Sequence, residues 1–297
     1  MNRRVIQMLV LLLTVVSFSW ATSPILFECA RMEDGVRNAE GYTGDKKGPI
    51  YPKDVLGITE LQIINQGATS LVGIEYLTNL ERFFFFGNKA NDLTPLQDLT
   101  NLRLLDLMTN EVRDISPLRN LKNLTTLELS RNKIQDISPL KNLTLLETLG
   151  LSKNQITDIA ALKDLVHLEW LSFDENRVVD VSALQNLIGL KWLYFDWNEV
   201  QNIGPLERLT HLLELSVGGN RVEDLSVLKN LIHLEYLVLE YNQLRDISAL
   251  VVDTHWGQEL ELDLRYNHLD LNPGSKDMDH IQLLESRGVM IWYSPQM

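Results

Sequence analysis

The chain has 297 residues, a formal net charge of −13 and a single cysteine. Such a surplus of carboxylates repels a phosphate backbone, and no basic stripe with interleaved aromatics relieves it, which argues against a nucleic-acid partner. One thiol excludes an internal disulfide, so packing and hydrogen bonds must hold the fold.

The first 21 residues contain Arg3 and Arg4, an apolar run from Val5 to Trp20, and small residues at Ser19 and Ala21, the positions that signal peptidase reads. This is the pattern of a cleaved export signal. Gln7 interrupts the run, which is shorter than the roughly 20 residues needed to cross a bilayer, and no later stretch is apolar enough to span one. Glu28, just before Cys29, speaks against lipid attachment. Losing Arg3 and Arg4 takes the charge from −13 to −15. The mature chain is expected to be soluble, monomeric, and secreted or periplasmic. Cys29 reads as a small buried hydrophobe rather than a reactive thiol.

From about Val55 to Val252 a 22-residue period runs through the chain, with clear copies beginning at Leu77, Leu99, Leu121, Leu143, Leu165, Leu187, Leu209 and Leu231. Each copy is close to L-x-x-L-x-x-L-x-L-x-x-N-x-I/V-x-D-I-S-P/A-L-x-x. A repeat of this length means stacked coils sharing one continuous core. In the copy starting at Leu121, Leu127 and Leu129 point one way while Thr126, Glu128 and Ser130 point the other, which predicts a short strand with one buried face. Asparagines follow in register at 88, 110, 132, 154, 176, 198, 220, 242 and 267. An amide both donates and accepts, so this column suits the bend after each strand.

A second column holds Asp92, Asp114, Asp136, Asp158, Asp180, Asp224 and Asp246, broken by Asn202. Stacked carboxylates would repel, so each is expected to accept backbone N–H groups at the next bend. Thr94-Pro95, Ser116-Pro117 and Ser138-Pro139 read as hydroxyl N-caps followed by proline at the first position of a tight helical turn. Leu96, Leu118 and Leu140 close those turns on the convex side.

These columns resemble the leucine-rich repeat family, in its 22-residue internalin-like bacterial subclass. The resemblance implies an α/β repeat solenoid, a horseshoe with parallel strands on the concave face and short 3-10 or irregular turns on the convex face. The segments 27–37 and 52–55 are similar to the helical N-terminal cap of such proteins. Beyond Leu271 the sequence predicts a helix over 277–287, ended by Gly288, and a last strand over 289–293, which together would cover the open core. The expected organisation is a signal at 1–21, an N-terminal cap at 22–54, about ten coils at 55–272 and a C-terminal cap at 273–297.

Constant columns serve the framework, which leaves the variable outward strand positions for recognition. Those positions hold Trp170, Ser172, Asp174 and Glu175 in one copy, and Trp192, Tyr194, Asp196 and Trp197 in the next. Two copies later they hold Tyr236, Val238, Glu240 and Tyr241, and the partial last copy adds Glu261, Asp263, Arg265 and Tyr266. Solvent-facing aromatic rings with acidic neighbours are the composition of an interface. The competing reading is a ladder of rings, Trp170 on Trp192, that stiffens the sheet. A second patch, Phe84, Phe86, Leu104 and Met108, reads equally as a binding area or as packing beneath the N-terminal cap.

Sharper chemistry finds little support. Asp174 and Asp196 share a column, about 5 Å apart by strand spacing, near the carboxylate separation of retaining glycosidases, but nothing supplies a pocket. A calcium site would need six or more oxygens from a loop that is not there. His167, His211 and His233 share a column with Asn79, Asn101 and Asn123 and read as polar spacers. No Ser-His-Asp arrangement, H-E-x-x-H, phosphate loop or Cys-x-x-Cys occurs, so neither catalysis nor a cofactor is expected. The expected function is an exported binding module that recognises a protein through the aromatic-acidic concave face. The candidate contacts are Trp170, Asp174, Trp192, Tyr194, Asp196, Trp197, Tyr236, Glu240 and Tyr241, with Phe84 and Phe86 as a second area. The alternative is a glycan-binding or glycan-cleaving protein with Trp170, Trp192 and Trp197 as the sugar platform.

Overall fold

Leucine spacing sets each coil. In the coil of Leu121, the side chains of Leu121, Leu124, Leu127 and Leu129 are all buried, and so are their equivalents from Leu77 to Leu239 wherever the column keeps an apolar residue. Because every coil is one turn of this pattern, consecutive strands lie side by side and parallel, each stepped by the repeat length. The computed structural model describes residues 23–252 and 256–297; the export signal expected at 1–21 lies outside the described residues.

Among the described residues eleven strands form one parallel sheet in chain order, from β1 (Glu60–Gln62) through β4 (Thr126–Glu128), β6 (Trp170–Ser172), β7 (Trp192–Tyr194), β8 (Glu214–Ser216), β9 (Tyr236–Val238) and β10 (Glu261–Asp263) to β11 (Met290–Trp292). Each strand is only three residues long, because the chain must bend at the asparagine to close the coil. The register is exact between copies, with Trp170 opposite Trp192, Leu171 opposite Leu193 and Ser172 opposite Tyr194. From β9 to β10 the offset grows to three more than the period, Tyr236 pairing with Glu261. In that longer coil Trp256 is buried, and its indole N–H donates to the Leu231 carbonyl at 3.2 Å.

The asparagine column works as expected and also ties coil to coil. Asn132 Nδ2 donates to the carbonyl of Leu129 in its own coil and of Leu107 in the preceding coil, both at 2.9 Å, while Oδ1 accepts from Val112 N–H at 3.0 Å. Asn176 and Asn267 repeat the arrangement. Gln296 supplies a final rung that the sequence pattern did not reveal, accepting from Asn267 and Leu269 N–H groups and donating to the Leu264 carbonyl. One extra methylene lets glutamine reach from an irregular segment to where asparagine reaches from a coil.

On the convex side, 3-10 turns such as Ser116–Asn120 and Ser138–Asn142 close the coils. Here one expectation is corrected: Thr94, Ser116 and Ser138 are not the caps. Each is the first residue of its turn, and the aspartate two residues earlier accepts its N–H, as Asp114 does from Ser116 at 2.7 Å. The Ser116 hydroxyl donates to the same carboxylate. An Asx turn thus outcompetes hydroxyl capping, because a charged acceptor makes the stronger bond. Asn202 accepts from Gly204 N–H in the same way.

Helix α1 (Ala30–Asn38) covers the N-terminal end of the core, burying Met32 and Val36. Gly35 permits the close approach, since a Cβ there would lie 2.6 Å from Ile63 Cγ1. Cys29 is buried in the same cluster. At the other end helix α2 (Lys276–Ser286) starts at the Ser275 side chain, which accepts from Met278 N–H, and stops before Gly288 at φ +93°. Its Ile281 and Leu284 are buried, and β11 then pairs with β10.

Candidate functional site

Three outward columns run along the sheet face at the strands, and a fourth lies at the bend just before each asparagine. Between β6 and β10 the third column reads Asp174, Asp196, Gly218, Glu240 and Arg265, and the fourth reads Glu175, Trp197, Gly219, Tyr241 and Tyr266. Beneath them the core carries Phe173 and Phe195, stacked with centroids 5.3 Å apart, where most other coils use an aliphatic residue.

The acids are not a freely solvated patch. Asp174 Oδ2 accepts from the hydroxyls of Ser152 (2.9 Å) and Ser172 (2.8 Å), and its Oδ1 accepts from Asp196 N–H (2.9 Å). Asp196 accepts from the Ser216 hydroxyl (2.7 Å) and from Gly218 N–H (2.6 Å). Burial, followed by the negative charges of Asp174 and Glu240, raises the Asp196 carboxyl from 3.8 to about 6 despite these bonds. Glu240 is also raised, by burial and by Asp263, with Arg265 opposing. Among the described residues neither Asp174 nor Asp196 has an ion pair, whereas Arg265 is committed to Asp263 at 2.5 Å and touches Glu240 at 3.5 Å.

The aromatic side chains divide into two groups. Trp170 and Trp192 are opposite each other in register, yet the ring contact of Trp170 is with Tyr194, diagonally across, at 6.0 Å and 50°. The expected Trp170-on-Trp192 ladder is therefore corrected: Trp192 lies instead beside the Lys191 ammonium, 5.9 Å from its ring. The Tyr194 hydroxyl donates to Glu214 at 2.6 Å, and burial together with that carboxylate pushes it well up, keeping it a proton donor. The second group is a ridge at the bend column, with Trp197 against Tyr241 at 5.3 Å and Tyr241 stacked on Tyr266 at 4.1 Å. Trp197 is 51% exposed and Tyr236 38%. All three ridge residues have φ between +52° and +55°.

Other expected positions fall differently. Ser172, Val238 and Asp263 are buried by their neighbours. Phe84 and Phe86 are half-buried and face outward; Phe84 lies under the Arg82 guanidinium at 5.6 Å, while the cap helix rests on Ile63 and Leu61 instead. Ser152, Ser216 and Glu214, which hold the acids and Tyr194, had no signal in the sequence beyond lying in outward columns. The histidine column is a framework feature: Nδ1 of His167 and His211 lies 3.0 and 3.1 Å from the carbonyls of Thr144 and Ile188, where Asn79, Asn101 and Asn123 donate one coil earlier. A group with metal-ligand chemistry, Asp246, Asp277 and His280, sits by the C-terminal helix with its ligand atoms within 4.8 Å. Hydrogen bonds from Ser248 and Lys276 pull Asp246 down to about 2, and the Lys276 ammonium already pairs with it at 2.9 Å.

The framework on which this face is displayed has known counterparts. A family model for leucine-rich repeats in two copies matches residues 122–164. Internalin C2 from Listeria monocytogenes is 34% identical over 73% of this chain and 98% of its own, with a TM-score of 0.70. The chain belongs to the internalin-like leucine-rich repeat family. Internalin F from the same species is 29% identical, with 93% of each chain covered and a TM-score of 0.72. The fold extends to the ectodomain of the plant receptor kinase GASSHO1/SCHENGEN3 from Arabidopsis thaliana, in complex with CASPARIAN STRIP INTEGRITY FACTOR 2 (19% identity, 81% of this chain and 31% of that one, TM-score 0.65). No curated protein matches the sequence. Among the described residues no helix of this internalin-like chain is long and apolar enough to cross a membrane.

Proposed function

We propose that this internalin-like protein is an exported, non-enzymatic recognition module that binds a protein partner across the concave face between Trp170 and Tyr266. The observation that carries the reading is the ridge of Trp197, Tyr241 and Tyr266. The bend column is left-handed in every coil, held by Gly87 and Gly219 and elsewhere by polar residues such as Thr109, Arg131, Lys153 and Glu175, and only here by large aromatic rings. Large rings held there, half in solvent, serve no framework purpose, and exposed aromatic clusters mark binding surfaces. The rigid coil presents them without loops to be ordered on binding. Internalin-like proteins engage protein partners, and the plant receptor ectodomain with this fold is in complex with one. Catalysis has no support in the geometry, since Asp174 and Asp196 are occupied by serine hydroxyls and backbone N–H groups.

Affinity capture with the chain lacking residues 1–21, set against its Trp192→Ala/Trp197→Ala variant, tests the proposal. A protein retained by the native face and lost from the variant is expected. Equal recovery by both forms overturns the assignment of the face. Capture of a defined oligosaccharide on a glycan array, with no protein retained, replaces it with the sugar platform.

A further inference from the structure

The C-terminal cap meets the repeat stack where two elements bring ligand atoms together. Asp246 is the last member of the convex aspartate column, while Asp277 and His280 stand near the start of α2, where a spacing of three puts them on one face of the helix. One ligand atom from each of the three lies within 4.8 Å of the other two. Asp277 is buried and its Oδ2 accepts from Asp270 N–H at 3.0 Å, and Asp246 Oδ1 accepts from Ser248 N–H at 2.7 Å. Backbone groups thus aim both carboxylates before any cation arrives, as outer-shell partners do around metal ligands. His280 adds an independent observation. Its Nδ1 is the only buried side-chain nitrogen or oxygen without a hydrogen-bond partner among the described residues. Buried polar atoms are otherwise paired throughout this framework, so an orphan imidazole nitrogen next to two carboxylates calls for a ligand. A histidine serving as an ion-pair partner would bond one of the acids; instead Asp246 pairs with the Lys276 ammonium at 2.9 Å and Nδ1 bonds nothing.

We infer that Asp246, Asp277 and His280 form a zinc site that clamps the C-terminal cap to the repeat stack. Imidazole together with carboxylates suits a borderline divalent ion, and three protein ligands with water completing the shell are a common zinc set. Calcium and magnesium fit poorly, since both prefer shells of oxygen alone. Ligand atoms around a tetrahedral zinc ion stand roughly 3.3 Å apart, so the three side chains need only draw together by rotation. Lys276 does not bar the ion. Its side chain is 65% exposed and holds Asp246 as a surface pair, which is cheap to break, and its ammonium marks the spot as one where positive charge is stabilised. The positive end of the α2 dipole opposes a cation there, but it amounts to roughly half a unit charge against two carboxylates. Because the ligands come from two elements, only the docked cap offers all of them, and the binding free energy becomes stability of the docked cap.

The test uses untagged protein stripped with EDTA and titrated with zinc chloride, with the melting transition followed in parallel. One zinc ion per chain and a higher melting midpoint are expected. His280→Gln and Asp246→Asn should each weaken zinc binding by about tenfold or more and cancel the rise, and the asparagine still accepts from Ser248 N–H, so the turn is kept. Lys276→Gln, which removes the competing ammonium and touches no ligand, should tighten binding; a merely structural cluster would not respond in this way. Cobalt(II) in place of zinc should give visible ligand-field bands that His280→Gln loses. Absence of zinc binding, or binding that both His280→Gln and Asp246→Asn leave unchanged because the other histidines hold the ion, overturns the inference. So does a melting midpoint that zinc does not move, since the ion would then clamp nothing.

Discussion

Trp197 and Asp196 are adjacent residues, and each sits where folding alone would choose otherwise. Trp197 adopts φ +55°, a region that disfavours a side chain with a Cβ by about 1–2 kcal/mol and tolerates glycine freely. Asp196 ionises with difficulty because burial and its acidic neighbours raise it to about 6. Since its folded value lies above the unfolded one, the folded state binds the proton more tightly. Above pH 6 the charged carboxylate therefore weakens the fold, and this penalty fades as pH falls through 6 toward 4. Asp196→Asn should stabilise the protein at pH 7.5 by about 1 kcal/mol, allowing for solvent screening of a partly exposed group, and should give no gain near pH 4. Urea melts of both forms at the two pH values check this; a loss of stability at pH 7.5 would show that the charge is needed by the framework. The type of each outward residue was legible in the sequence, because the columns separated framework from face. Its environment was not. Whether Asp174 faces water or two serine hydroxyls depends on Ser152 in the preceding coil, and the diagonal choice of Trp170 for Tyr194 over Trp192 depends on ring rotation, which spacing does not encode.

At the scale of the single coil, side chains do for backbone what a longer sheet would do by itself. Three-residue strands leave many carbonyls and N–H groups at bends, and the asparagine, aspartate and Asn/His columns satisfy them in turn. The last of these columns has gaps at Leu145 and Gly189. Gly189 is not in a left-handed conformation, and a Cβ there meets only Leu168 and Val166 carbonyl oxygens at 3.5 and 3.6 Å. Gly189→Asn should restore the missing bond to the preceding coil and restrict the unfolded chain, raising stability by about 1 kcal/mol. A thermal melt with an unchanged or lower midpoint would mean that the column contributes little. The 22-residue pattern made the strand, the bend and the convex turn readable, since each has a residue type that its geometry requires. The cap assignment failed because hydroxyl and carboxylate compete for the same N–H two residues apart, and only the folded turn decides between them.

For the molecule as a whole, the two ends are the weak points of a stack in which each coil contacts only its neighbours. The C-terminal end is closed by α2, β11 and the Gln296 rung. Deleting residues 273–297 should uncover Leu262 and Leu264 and leave the Asn267 backbone unpaired, giving aggregation or fraying; a truncated form that remains monomeric with the same melting midpoint would contradict this. Helix, strand and closing glycine were visible in the sequence here because they follow ordinary capping rules, whereas Gln296 and Trp256 act from irregular segments with no period to expose them. The central claim is that one set of columns folds the protein and another binds. Asn176→Ala and Trp197→Gly, in adjacent coils, test it when denaturant melts and partner capture are measured on the same samples. Asn176→Ala should lower stability by about 1–3 kcal/mol, since it strands buried backbone groups, and leave capture intact below the transition. Trp197→Gly should leave stability within about 1 kcal/mol of the native protein and lose the partner. If Trp197→Gly instead unfolds the protein as severely as Asn176→Ala while capture survives, the ridge belongs to the framework and the account of this face is wrong.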